Sequence, residues 1–187
     1  MAGAVGATAS GAELLEDGYD AETARLVAES AAGAVARLKF FRVALGAAGG
    51  DQASSMVRDL ASGYLRVAAS GGGGDLVLHW DCALARLDGE TARLVLNLVL
   101  IARDALPRGG DITVTVSLRI PGEGAGLSVT YQGRGAELGE EIESSLIAGK
   151  SPLGPRGAQA WFTRCLVDKI GGTLRVDKDS TGGRINV

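Results

Sequence analysis

Between residues 20 and 46 the apolar positions fall into a helical rhythm. Ala24, Ala28, Ala31, Val35, Leu38 and Leu45 recur at three- and four-residue steps, with Phe41 close to the same line. This pattern predicts one long helix with a coiled-coil-like seam. No proline interrupts it, and Gly33 is its sole internal glycine. Asp20 is placed to cap its start and Gly46 to end it. Asp20, Glu22 and Glu29 come early while Arg37, Lys39 and Arg42 come late, an order that complements the helix macrodipole. A second apolar line runs through Leu26, Phe40 and Val43. A helix with two apolar sides needs more cover than one neighbour supplies, so a bundle completed by a second copy of the chain is expected.

Residues 1–17 predict the partner helix, with Val5, Ala9, Ala12 and Leu15 on one face. Gly3, Gly6 and Gly11 each cost up to ~1 kcal/mol relative to Ala. Close helix–helix contact through small residues offsets that cost. A phosphate-cradling role for these glycines is set aside, because neither GxxxxGK[ST] nor GxGxxG is present. Residues 17–20 form a tight turn, giving an antiparallel hairpin. The first helix offers about four turns against about seven in the second. The natural element is therefore expected to begin before Met1.

At Ala47-Ala48-Gly49-Gly50 the period changes, which sets a domain boundary: a hairpin over 1–48 and a second domain over 51–187. In that domain the patterns predict helices over 54–69, 88–106, 137–147 and 158–170. They predict strands over 76–80, 112–120, 127–131, 173–176 and 184–187. Residues 71–74 and 149–157 are connections, 121–126 is a turn, and the last two strands form a hairpin. Helices with mostly antiparallel strands in that order make a two-layer α/β sandwich, and the fold class of the whole is α+β.

Composition narrows the function. The formal charge is −3, which gives no basic face for nucleic acid. Cys82 and Cys165 stand far apart outside any CxxC, as expected of reduced thiols in a cytosolic protein. One histidine is too few for a zinc site, and no metal is expected. No signal peptide and no apolar run of about 20 residues is present, so no membrane association and a cytoplasmic location are expected.

The second half resembles the ATP-binding domain of histidine kinases and other GHKL ATPases. VLNLVLIARDALPRGGDITV is similar to their N-box helix and following strand, and GLSVTYQGRG to the strand and loop of the first glycine box. GKSPLGPRGAQAWFTRCLVDKIGGTLRV is similar to the second glycine loop, its helix and the returning strand. The resemblance implies a nucleotide fold whose chemistry is lost. The N-box position for Mg²⁺ holds Ile101, which cannot ligate a hard cation. The adenine-reading aspartate is replaced by Tyr131. The second glycine loop reads Gly-Pro-Arg-Gly, and Pro155 lacks the N–H that would face phosphate. No cofactor is expected, and Asn97 is expected to be a helix cap or strand partner.

Together with SGAELLEDG and ARLKFFRVALGAAG, the architecture resembles the ChpT-type histidine phosphotransferases of bacterial phosphorelays, over nearly the whole chain. That resemblance implies a homodimeric four-helix bundle. In it, a histidine on the first helix shuttles a phosphoryl group between receiver domains of a hybrid histidine kinase and of response regulators. The family's motif is His-Asp, three residues, then Pro. Aligned here, the proline position is Ala4 and the His-Asp pair falls upstream of Met1, so the acceptor is truncated away or lost, with truncation favoured. Catalytic residues are therefore none. Docking of a receiver's first helix on the lower bundle implies Glu13, Glu16, Arg37, Phe40 and Phe41 as contacts. Two readings of Phe40 stand: an exposed anchor, or a ring packed under the second domain. His79, in Leu-Val-Leu-His-Trp-Asp, is expected to be a buried or half-buried sheet residue without a role. The alternative to transfer is a non-catalytic homodimeric module that binds receiver domains or regulates a histidine kinase.

Overall fold

The 20–46 pattern forms α2, Ala21–Ala44, in a computed structural model that describes residues 2–18, 20–69, 74–117, 126–151 and 154–187. Asp20 caps α2 as expected: its carboxylate accepts from the Thr23 N–H at 2.8 Å and the Thr23 hydroxyl at 2.7 Å. The preceding helix, α1 (Ala2–Asp17), packs along α2. Gly11 is where α1 comes close to α2, for a Cβ there would collide with the Val27 side chain. The expected role of small residues in close helix packing is seen at this position. Tyr19 of the 17–20 turn lies outside the described residues.

The rest of the chain runs β1 (Gln52–Ala53), α3 (Ser54–Ala69), β2 (Leu76–Cys82), β3 (Arg86–Leu87), α4 (Gly89–Asp104) and β4 (Gly110–Val116). Then come β5 (Leu127–Gln132), α5 (Glu140–Leu146), α6 (Pro155–Lys169), β6 (Arg175–Lys178) and β7 (Gly182–Asn186). Five strands form one sheet in the order β2-β4-β5-β7-β6. All its pairings are antiparallel except β2 with β4, which are parallel and register His79 against Thr113. Parallel neighbours require a crossover, and α4 supplies it. Gly109 and Gly110 turn the chain from α4 into β4 at φ +81° and +140°, a region that suits residues without a Cβ. Residues 121–125 of the expected turn, the 118–120 extension of β4, residues 71–73 of the connection and Pro152 lie outside the described residues.

Strand alternation sorts the sheet into two faces. Ile112, Val114, Val116, Leu127, Val129, Tyr131 and Ile185 point to the helical layer and are buried. Val77, His79, Asp81 and Asp111 lie on the outer, exposed face. Helix α4 is covered on every side, with an unbroken buried run from Ala92 to Ala102 that includes Arg93 and Asn97. A short ladder not foreseen from the sequence, β1 with β3, pairs Gln52 with Leu87 and Ala53 with Arg86. Beside it the Trp80 indole N–H donates to the Ser54 hydroxyl at 3.0 Å, fixing β2 against α3. Helix α6 begins at Pro155 rather than residue 158, since proline at N1 suits a helix start. Cys82 and Cys165 are free and half-buried.

The hairpin is joined to the sandwich along one flank of α2. Phe40 is fully buried and stacks on Tyr64 of α3 with ring centroids 4.3 Å apart, while Phe41 meets both rings edge-on. Of the two readings of Phe40, the packed one holds. Its ring is spent on the joint, so it is withdrawn as an exposed docking anchor. Nearby, Gly33 lets Val67 approach, with Val67 Cγ1 3.3 Å from where a Cβ would sit.

Asp88 caps α4, accepting from the Thr91 N–H at 2.9 Å and the Thr91 hydroxyl at 2.7 Å. Partial burial pushes its carboxyl up, but the Thr91 hydrogen bonds outweigh it and hold the group below the usual carboxylate range. A depressed carboxylate stabilises the fold above its unfolded pKa, and that contribution fades as pH falls through the folded value. Asp88→Ala is expected to cost about 1 kcal/mol at neutral pH. In urea titrations repeated at lower pH, the gap from wild type should shrink as the acid limb is reached.

Candidate functional site

Three positions frame the place where the resembled ATPases hold nucleotide, and each is occupied by packing. Ile101, on α4, is 1% exposed and belongs to the core. Tyr131, on β5, is also 1% exposed. Its ring lies over Gly183 of β7, whose Cβ, if present, would be 2.5 Å from the phenol oxygen. Burial, and secondarily the Asp179 carboxylate, raise the Tyr131 pKa, so the phenol is a neutral group walled into the sandwich.

At the third position, Gly154 caps α6 without a side-chain hydrogen bond and Pro155 follows at the start of the helix. The Glu141 carboxylate from α5 lies against this mouth, with Oε1 2.6 Å from the place a Gly154 Cβ would take. That oxygen is buried without a hydrogen-bond partner among the described residues. An anion of the chain itself thus stands where a helix N-terminus would favour phosphate. Beside this region, a cavity of about 240 Å³ is bordered by Arg103, Asp104, Leu106 and Arg156. Small-molecule sites usually run from roughly 300 Å³ upward.

Asn97 is neither a helix cap nor a strand partner. It sits in the middle of α4, fully buried, and its carboxamide joins three helices. Nδ2 donates to the Ala44 carbonyl at the end of α2 (2.7 Å) and to the Arg93 carbonyl one turn back (2.8 Å). Oδ1 accepts from Gln159 Nε2 of α6 at 2.5 Å. The sequence signal was present: an amide inside an apolar helical run has to find partners, because a buried amide without them is costly. Gln159 was not singled out, since nothing in its own neighbourhood marks it.

The hairpin leaves a stripe uncovered. Val35 is 48% exposed, Leu38 56% and Leu45 48%, and Leu26, Leu14 and Val5 are exposed as well. These include three members of the expected seam. The five expected docking residues do not make one patch. Glu13 and Glu16 are exposed on α1 toward the turn, and Arg37 and Phe41 are half-buried on α2. Gly11 marks the level of Val27, and Arg37 lies about 15 Å further along α2 at 1.5 Å per residue.

His79 is satisfied, as expected, by Asp111 Oδ1 at 2.7 Å, but both side chains are exposed rather than half-buried. They stand on the outer face of the sheet, away from the hairpin helices. Among the described residues no group of three or more His, Cys, Asp or Glu is arranged to hold a metal ion. No helix among them is long and apolar enough to cross a membrane.

A family model described as the histidine phosphotransferase C-terminal domain matches residues 51–182. Protein phosphotransferase ChpT of Brucella abortus (strain 2308) is 32% identical over 176 residues, spanning 89% of this chain and 79% of that protein. The solved structure of a bacterial phosphotransferase, at 1.7 Å, superposes with a TM-score of 0.78 and 28% identity. The match covers 98% of this chain and 87% of the other. A histidine kinase domain from the blue-light activated kinase EL346 of Erythrobacter litoralis shares the fold, with a TM-score of 0.52 at 17% identity. That match covers 100% of this chain and 93% of the kinase chain.

Replacing Asn97 by Ala strands the Ala44 carbonyl and the Gln159 amide in the interior. The expected cost is about 1–3 kcal/mol in urea unfolding, and Asn97→Leu, which fills the volume, should not restore it.

Proposed function

The chain belongs to the histidine phosphotransferase family, and from that membership we propose that it serves a phosphorelay as a homodimer, passing phosphoryl groups between receiver domains of two-component systems in the cytoplasm. The observation that carries this reading is the filled cleft. A kinase-like frame whose nucleotide positions hold Ile101, Tyr131 and Glu141 has to take its phosphoryl group from a partner rather than from ATP. In such transfer, a nitrogen–phosphorus bond forms on an imidazole as the phosphorus–oxygen bond to the receiver's aspartate breaks. The receiver brings the acyl phosphate and its Mg²⁺, and the transferase positions the ring.

The organisation we propose is a dimerising hairpin over 1–48 and a degenerate ATPase-like scaffold over 51–187. The stripe of Val35, Leu38 and Leu45 is the natural seam for the second copy, since covering the exposed half of each such side chain stabilises by roughly 0.7–1.5 kcal/mol. Glu13 and Glu16 near the turn, and Arg37 and Phe41 higher on α2, are candidate receiver contacts.

A second reading, a receiver-binding module that transfers nothing, is favoured by one observation. The chain has a single histidine, and it lies on the outer sheet face rather than on the hairpin. Extending the reading frame upstream of residue 1 separates the two. A His-Asp pair there, and appearance of an acid-labile phosphoryl group on the protein that includes it when mixed with a phosphorylated receiver, support transfer. Binding of the receiver without transfer supports the module. Calorimetry with millimolar ATP and Mg²⁺ should show no heat of binding, and a saturable signal would refute the filled-cleft argument. Because Leu38 is exposed in the single chain, Leu38→Glu should leave the fold intact and halve the mass seen by light scattering.

A further inference from the structure

On the flank of α2 away from α1, a groove of about 790 Å³ runs between α2 and α3. Its floor is apolar, with Val35 and Val43 from α2 and Met56 and Leu60 from α3. Val35 and Met56 are 48% and 42% exposed, so the floor is open to solvent. Ala32, Ala36 and Gly63 keep the walls low, which lets an approaching backbone come close. The rim is cationic, with Lys39 and Arg42 on α2 and Arg66 on α3. The one carboxylate lining the groove, Asp59, is paired with Arg58 at 3.0 Å. Lys39 and Arg42 alone give this rim a sign opposite to that of a chain whose net charge is −3.

The groove borders the uncovered seam without coinciding with it. At about 100° per residue, Lys39 and Val43 lie roughly 40° and 80° to one side of Val35, and Leu38 and Leu45 roughly 60° and 80° to the other. A second copy seated on Leu38 and Leu45 therefore meets the groove at Val35 and at Arg42, which lies roughly 20° from Val35 on the Leu38 side, and leaves Lys39, Val43 and Met56 for another occupant. A narrow trough with an apolar floor and a few cations fits an amphipathic helix whose apolar stripe is flanked by carboxylates. Nucleic acid would instead call for a broad basic face.

We infer that this groove receives an acid-flanked amphipathic helix of the receiver domain, so that α3 of the sandwich shares in partner choice with the hairpin. The inference rests on the receiver-binding reading above. Opposite charge at a rim speeds encounter and selects partners, and it is weakened by salt.

The test uses the full chain immobilised against individually purified receiver domains from the same genome, with binding followed by interferometry at low and high salt. Wild type should bind at least one receiver. The double variant Lys39→Glu/Arg42→Glu should weaken that binding about tenfold or more and flatten its salt dependence, with oligomeric mass and circular dichroism unchanged. Met56→Ser, which probes the floor, should weaken binding while keeping the salt dependence. Charge reversal of the acidic residues on the receiver's helix should restore binding to the double variant. Binding by the double variant within about twofold of wild type overturns the groove and leaves the receiver reading standing. Halving of the oligomeric mass by the same variant makes the groove a contact between copies and overturns it too. A wild type that binds no receiver overturns both.

Discussion

One buried carboxamide holds the two halves of this protein in register. Asn97 reaches the last carbonyl of the long hairpin helix, the turn of its own helix behind it and the first half of α6. Among the described residues the other contacts between hairpin and sandwich include apolar ones: the Phe40–Tyr64 stack, Ala44 in the core, and Val67 against Gly33. Apolar packing supplies attraction, but it tolerates small slides and rotations. A satisfied buried hydrogen-bond network does not, because each misplacement strands a polar group. Position along α2 is therefore set by polar geometry, and adhesion by the aromatic rings. Tyr64 reports the same burial, since desolvation, helped by the Asp104 carboxylate, raises its phenol pKa against the opposing pull of Arg103 and Arg37.

The positions that the sequence likened to nucleotide contacts serve packing in the sandwich. Tyr131 lies across Gly183, Ile101 joins the core, and Glu141 stands at the mouth of α6. Strand alternation, the Asp88 cap and the crossover by α4 hold the shape of the frame around them.

Much of this was legible along the chain, for identifiable reasons. Helices α2, α3 and α4 announced themselves because long periodic runs have few competing readings, and α2 and α4 are capped besides. The apolar stripe of Val35, Leu38 and Leu45 was legible as a repeat, and the structure leaves these side chains exposed. The β1–β3 ladder was not legible, since two-residue strands carry no period. Phe40 could be read two ways because one face of α2 meets the sandwich and another meets solvent, and spacing does not say which is which. The docking set was drawn from two helices without knowing their relative level. The Gly11–Val27 contact puts Glu13 and Arg37 at different heights, and no local pattern encodes that distance. Asn97 was read as a helix cap or strand partner because two of its partners lie 53 and 62 residues away, beyond any periodic signal.

The tie between Ala44 and Asn97 also bears on how relatives of this protein can diverge. The connection from Ala44 to Ser54 is anchored at both ends, by that hydrogen bond and by the Trp80 indole on Ser54. An inserted residue there would rotate everything downstream by about a third of a turn if helical, or displace it by about 3 Å if extended. Length change is thus disfavoured in this one stretch, even though it looks like an ordinary Gly-rich linker. Modular exchange of hairpins between homologues would have to transplant the 33–44 face of α2 together with the residues it grips.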